Sequence, residues 1–179
     1  MKKYFLSLTT ILMVALTSVC FVSCGDDEND GSGTGTSTSS GVSVNAKYGF
    51  YRQYGGQEWE FNFSNHDLNS LGNYANSLDI VSIELNTDKE YAEIPTGEFT
   101  GGFRVGIVKD MKPGKDADIF YESVQKKNMT GKLTIKKNGG NYTVSYSGVD
   151  FYTNDSNTPT VTDASFTYTG GIAKLKTEK

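Results

Sequence analysis

The sequence is poor in the side chains that most enzymes work with. Its 179 residues include one His, two Cys and three Pro, and both cysteines, Cys20 and Cys24, come before residue 25. With no Cys beyond Cys24, the body of the chain has no disulfide framework. With one His it lacks the usual ligands of a zinc or other transition-metal site, so neither a metal nor a cofactor is expected. Positive charge is not in excess either, since 17 Lys and Arg face 21 Asp and Glu; this excludes a strongly basic nucleic-acid binder. No Gly-x-Ser-x-Gly elbow occurs, and Gly114-Lys115 and Gly131-Lys132 both lack the earlier Gly of a phosphate-cradling loop.

The chain is rich in export features. Lys2 and Lys3 precede an apolar stretch, Tyr4 to Val19, broken by Ser and Thr, which reads as a signal peptide over residues 1–23; a membrane span needs about 20 apolar residues without such interruptions. Phe21-Val22-Ser23-Cys24 resembles the lipobox of bacterial lipoproteins, in which a small residue precedes a Cys that is acylated, typically with palmitate, and becomes the mature N-terminus. An unpaired thiol in an oxidising compartment needs a purpose, and lipid attachment at Cys24 supplies one. Asp26, Asp27, Glu28 and Asp30 follow at once and resemble the acidic export tract of Bacteroidetes-type surface lipoproteins, which implies an outer-membrane protein facing the extracellular side. A calcium loop is the competing reading of Asp26, Glu28, Asp30 and Gly31, but Ser37 stands where an EF-hand requires its bidentate Glu.

Residues 31–41, all Gly, Ser or Thr, read as a flexible tether that completes a 24–41 segment of lipidated Cys, acidic tract and linker. Its 17 residues from Gly25 to Gly41 would reach about 20–25 Å on average, and under about 60 Å at full stretch.

A single β-domain is expected over residues 42–179. Val42, Val44, Ala46, Tyr48 and Phe50 alternate with polar residues; Gly55-Gly56 offers a hairpin turn, and Trp59, Phe61 and Phe63 alternate beyond it. Val81, Ile83 and Leu85 share a face within Asp79–Asn86. Shorter strands follow near Glu98–Phe99, Phe103–Val108, Ile119–Val124, Lys132–Lys137, Tyr142–Ser147, Ser165–Thr169 and Ile172–Leu175, with Asn138-Gly139-Gly140-Asn141 as a second hairpin turn. About nine strands with regular turns describe an all-β protein, an antiparallel sandwich or small barrel. Leu68, Leu71, Ala75 and Leu78 recur at helical spacing after Asn65 or Asp67 and predict a short helical turn.

The second half adds a resemblance. Gly131-Lys132-Leu133-Thr134-Ile135, Gly140-Asn141-Tyr142-Thr143-Val144 and Phe166-Thr167-Tyr168-Thr169-Gly170 are similar to a recurring ending of uncharacterised β-sandwich lipoproteins of the same bacteria, as is Ile94-Pro95-Thr96-Gly97-Glu98-Phe99. It implies architecture and address, and carries no common activity.

Candidate chemistry is sparse. His66 has no nucleophile elbow to serve, so no catalytic residue is assigned and the chain is read as a non-enzyme. Glu58 and Glu60 stand about 7 Å apart along one strand face, a spacing open to an inverting glycosidase, but they read first as the wet side of an amphipathic strand. Of 11 Tyr, 10 Phe and one Trp, most belong to the core. Tyr51 and Tyr54 leave the first strand's alternation, and with Asn65, His66, Asp67 and Asn69 they form a candidate aromatic-and-amide surface for a glycan or a protein. After loss of Lys2 and Lys3 the balance is 15 basic against 21 acidic residues, or −6, and without the four tract carboxylates 15 against 17, or −2. Such a domain does not bind anionic lipid by charge, so its membrane partner is reached through the covalent lipid. The functional expectation is a lipid-anchored, non-catalytic binding module for a surface glycan or envelope protein. The alternatives are a structural subunit of a surface fibre or envelope complex, and a glycan hydrolase.

Overall fold

The computed structural model describes residues 31–38, 43–70, 77–112, 119–123, 131–152 and 158–176. Among these the chain is all-β, with eleven strands: β1 Ser32–Thr38, β2 Asn45–Tyr54, β3 Glu58–Ser64, β4 Leu78–Asn86, β5 Gly97–Phe99, β6 Phe103–Met111, β7 Ile119–Glu122, β8 Lys132–Asn138, β9 Asn141–Phe151, β10 Val161–Gly170 and β11 Ala173–Lys174. They form one sheet in the order β5-β8-β9-β10-β1-β2-β3-β4-β6-β7, antiparallel at every step. β11 runs parallel to β2 beside Phe50 and Tyr51, in the place that β1 leaves vacant. The sheet does not close, because β5 and β7 are its two ends.

The sheet curls over on itself as a sandwich does. Phe63 on β3 and Phe166 and Tyr168 on β10 are three strand steps apart, about 14 Å in a flat sheet. Their ring centroids nevertheless lie 5.4 and 4.7 Å apart. Trp59, Phe61, Phe63, Val81, Ile83, Leu85, Val105 and Ile107 of one layer therefore share a core with Leu133, Ile135, Val144, Tyr146, Phe166 and Tyr168 of the other. Alternation selects these residues: on β4, Val81, Ile83 and Leu85 point inward as the spacing predicts.

The bend needs room, and glycines provide it. A Cβ on Gly33 would lie 2.4 Å from the Tyr168 hydroxyl, one on Gly35 3.0 Å from the Tyr168 ring and 3.1 Å from that of Phe166, and one on Gly49 2.9 Å from the Tyr168 ring. Tyr168 thus lies across a glycine floor on β1 and β2. Its hydroxyl sits 2.7 Å from the Gly31 carbonyl and 2.8 Å from that of Gly171, sharing one proton between them.

This overturns part of the tether expected over residues 31–41. Ser32–Thr38 is a strand between β10 and β2, not a linker. Gly33-Thr34-Gly35-Thr36 has the period of two, with glycines inward under Tyr168 and β-branched threonines outward. Two smaller differences concern β2 and the expected helical turn. The pairing shifts between Ser32 and Gly35, so Val44 and Ala46 point inward, but beyond the shift Tyr51 does so and Phe50 takes the opposite face with its partner Asn62. Leu78 belongs to β4, and Leu68 reaches it by packing over an outer cluster of Leu78, Ile80, Val108 and Met111; Leu71 and Ala75 lie outside the described residues.

Tyr168→Phe keeps the ring but takes the hydroxyl donor from the buried Gly171 carbonyl and leaves Gly31 with the Gly49 amide, and is expected to cost about 1–2 kcal/mol. Gly35→Val forces the rings of Tyr168 and Phe166 aside and is expected to cost about 2 kcal/mol or more. The outward substitution Thr34→Val is expected to stay within about 0.5 kcal/mol. Denaturant midpoints of the three variants check the order.

Candidate functional site

Outside the core, the second layer carries polar groups that the strand register sets in a line. Arg52 on β2 pairs with Glu60 on β3, Glu60 with Glu84 on β4, and Glu84 with Arg104 on β6. Directly paired residues point to the same side, so four charges cross four adjacent strands in the order plus, minus, minus, plus. Tyr54 stands at the rim, 46% exposed.

Glu60 is the centre of this row. The strand pattern makes it a wet-side residue together with Glu58; Glu58 is indeed exposed, but Glu60 is only 2% exposed. Its carboxylate accepts hydrogen bonds from the Tyr54 hydroxyl at 2.9 Å on Oε2 and from the Asn62 amide at 3.1 Å on Oε1. Burial raises its pKa above the ordinary carboxylate value, outweighing these two hydrogen bonds and the nearby Arg52. The Tyr54 hydroxyl is also raised, chiefly by burial and with the Glu60 charge contributing. Arg104 lies 3.7 Å from the Glu84 carboxylate, both groups about a quarter exposed. Three atoms of this face have no hydrogen-bond partner: Nε of Arg52, Oδ1 of Asn62 and Oγ of Ser82. All three are buried, so they are unsatisfied polar groups beneath the surface of this layer and not contacts open to a ligand.

The aromatic-and-amide surface expected from the sequence does not form. Tyr51 points inward and lies 6.0 Å from Trp59, whereas Tyr54 points outward to Glu60. Asn65, His66, Asp67 and Asn69 follow the opposite end of β3 and serve the fold. The Asn65 amide donates to the Ser77 carbonyl at 2.9 Å, and its Oδ1 accepts the Asp79 amide at 2.9 Å, which clasps the segment between β3 and β4. The His66 carbonyl accepts the Ser64 hydroxyl, and Asp67 Oδ1 accepts the Asn69 amide at 2.9 Å in a local turn. Asn69 Nδ2 donates to the Lys174 carbonyl at 3.2 Å and its Oδ1 accepts the Lys176 amide at 2.9 Å, fastening this segment to the C-terminal strand. Of the expected set, only Tyr54 belongs to the polar row.

Sequence reasoning missed Arg52, Glu84 and Arg104. The hairpin centred near Gly56 already pairs Arg52 with Glu60; continuing the row needs the β3–β4 and β4–β6 registers, which no short turn fixes. Cys24, Asp26, Asp27, Glu28 and Asp30 lie outside the described residues.

Among the described residues no group of three His, Cys, Asp or Glu side chains is placed to hold a metal, and no helix is long and apolar enough to cross a membrane. Comparison with protein-family models, with curated proteins and with solved structures gives no match.

The raised Glu60 pKa has a definite sign in stability. The folded state holds this proton more tightly than the unfolded chain, so Glu60's contribution is fully present below the ordinary carboxylate pKa and is lost as pH rises through the folded value. Glu60→Gln is therefore expected to gain on wild type as pH rises from below the ordinary carboxylate value through the folded one. Paired denaturant titrations across that range check it; parallel curves would contradict a raised pKa.

Proposed function

We propose that the chain is a lipid-anchored outer-membrane protein displayed at the cell surface, whose β-domain is a non-catalytic binding module for a glycan or protein ligand. Cys24 carries the anchor, and Asp26, Asp27, Glu28 and Asp30 direct export. The observation that supports a binding role is the row Arg52–Glu60–Glu84–Arg104 with Tyr54 at its rim. Its charges balance, and its central carboxyl is held by two side chains. An exposed ring next to fixed polar groups suits a neutral ligand with several hydroxyl or amide groups. Hydrolysis is the weaker reading of the same carboxylates, because Glu60 is enclosed by Tyr54 and Asn62 on an outer sheet face.

A second reading, a subunit of a surface fibre or envelope complex, draws on the open sheet. Among the described residues β5 and β7 end it without joining, and an unjoined edge strand can accept a strand from a partner. Concentration-dependent self-association on gel filtration would favour this reading over a monomeric ligand binder.

External protease on intact cells tests the address. Wild type should be digested from outside, whereas Cys24→Ala, and the variant with all four tract carboxylates changed to Ala, should be protected. Protection of wild type would place the protein on the inner side of the membrane. For the binding role, a glycan array probed with purified protein should give hits that Arg104→Ala and Tyr54→Ala each weaken by about tenfold, the scale of one lost charged hydrogen bond or stacking contact.

A further inference from the structure

Strand β2 runs on past the end of the strand beside it. One of its edges is paired with β3 from Tyr48 to Tyr54. The other pairs with β1 as far as Tyr48 opposite Ser32, and the Gly49 amide then donates to the Gly31 carbonyl at 2.7 Å. Beyond that point β11 takes over, with Ala173 beside Phe50 and Lys174 beside Tyr51, and the Leu175 amide donates to the Tyr51 carbonyl at 2.8 Å. Because β3 fills the first edge, β11 lies in the lane that β1 would follow if it were continued towards its N-terminus.

Gly31 stands at the junction. Its φ of +68° turns the preceding chain off the line of the strand, and a Cβ there would lie 2.7 Å from the Gly49 carbonyl oxygen and 3.2 Å from the Ala173 Cβ. Glycine passes readily between this left-handed conformation and an extended one. With Gly31 extended, the register of Ser32 with Tyr48 would carry Asp30 to Phe50, Glu28 to Arg52 and Asp26 to Tyr54, all on the outward face. Glu28 would then oppose Arg52. An open edge is a template for such a strand, and the covalent link at Gly31 holds the segment beside it at an effective concentration on the order of millimolar.

β11 is fastened in that lane by contacts the acidic segment has no means to make. Asn69 donates to the Lys174 carbonyl at 3.2 Å and accepts the Lys176 amide at 2.9 Å, and the side chains of Ile172 and Leu175 are buried. Residues 26–30 are all Asp, Glu or Asn and bring nothing apolar to replace them.

We infer that the C-terminal strand and the acidic segment 26–30 are rivals for one edge of β2, and that docking of the C-terminus keeps the segment off the sheet. Its consequence, that the tract is presented for export by a chain whose C-terminus is in place, rests on the export reading above; the rivalry itself does not.

Hydrogen exchange of the peptide covering residues 25–31 of the mature chain tests the inference. With β11 in place these amides should exchange as an unstructured chain does. In a chain ending at Ile172 they should slow by about tenfold or more, and Arg52→Ala in that shortened chain should return them to fast exchange. Protection of the peptide already in wild type, or fast exchange in a shortened chain whose β4 and β9 stay protected, overturns the rivalry. Slowed exchange that ignores Arg52→Ala overturns the register. Should shortening unfold β4 and β9, the double variant Asn69→Ala, Leu175→Ser decides in its place: slowed exchange at residues 25–31 supports the inference, and unchanged exchange overturns it. Surface display of the variant without the four tract carboxylates would overturn the export reading alone and leave the exchange result standing.

Discussion

The packing of the Tyr168 ring on Gly33, Gly35 and Gly49 is the contact on which the rest of the structure depends. It lets β10 fold back over β2 and β3, brings Phe63 against Phe166, and holds the first and last described segments together through the carbonyls of Gly31 and Gly171. A side chain at any of the three glycines would fill the space that the ring occupies. Without β1 between them, β10 and β2 would each present an unpaired edge in the middle of the sheet, and the two layers would lose their connection.

The same contact explains what the sequence showed and what it concealed. Strands with large inward residues were legible, because Trp59, Phe61 and Phe63 or Val81, Ile83 and Leu85 announce their face by alternation, and the Gly55 and Gly139 turns announce their hairpins. β1 was not legible, because its inward residues are glycines, whose value lies in what a distant ring needs. Composition alone makes Gly33-Thr34-Gly35-Thr36 a linker. Phe50 was assigned to the wrong face for a related reason: the irregular pairing with β1 shifts the alternation of β2, and nothing in β2 itself marks it.

The candidate site shows the same division. Glu60 reads as solvated from its own strand, since the groups that enclose it, Tyr54 and Asn62, act through geometry. The charged row becomes visible once four strands are set in register, and the amides that looked like a recognition surface, Asn65 and Asn69, are consumed in fastening the segment after β3. Short-range patterns therefore specified the strands, whereas long-range register specified the surface. The result is a domain that carries the charged row on the outside of one layer and a run of threonine and serine hydroxyls on the outside of the other.

The central claim is that Ser32–Thr38 is held as a sheet strand by Tyr168, and hydrogen exchange of the mature chain tests it most directly. Amides of the peptide spanning these residues should be protected to an extent comparable with β9, and Tyr168→Phe should weaken that protection before it weakens that of β4. Exchange of this peptide at the rate of an unstructured chain, while β9 stays protected, would contradict it and return residues 31–41 to a free tether.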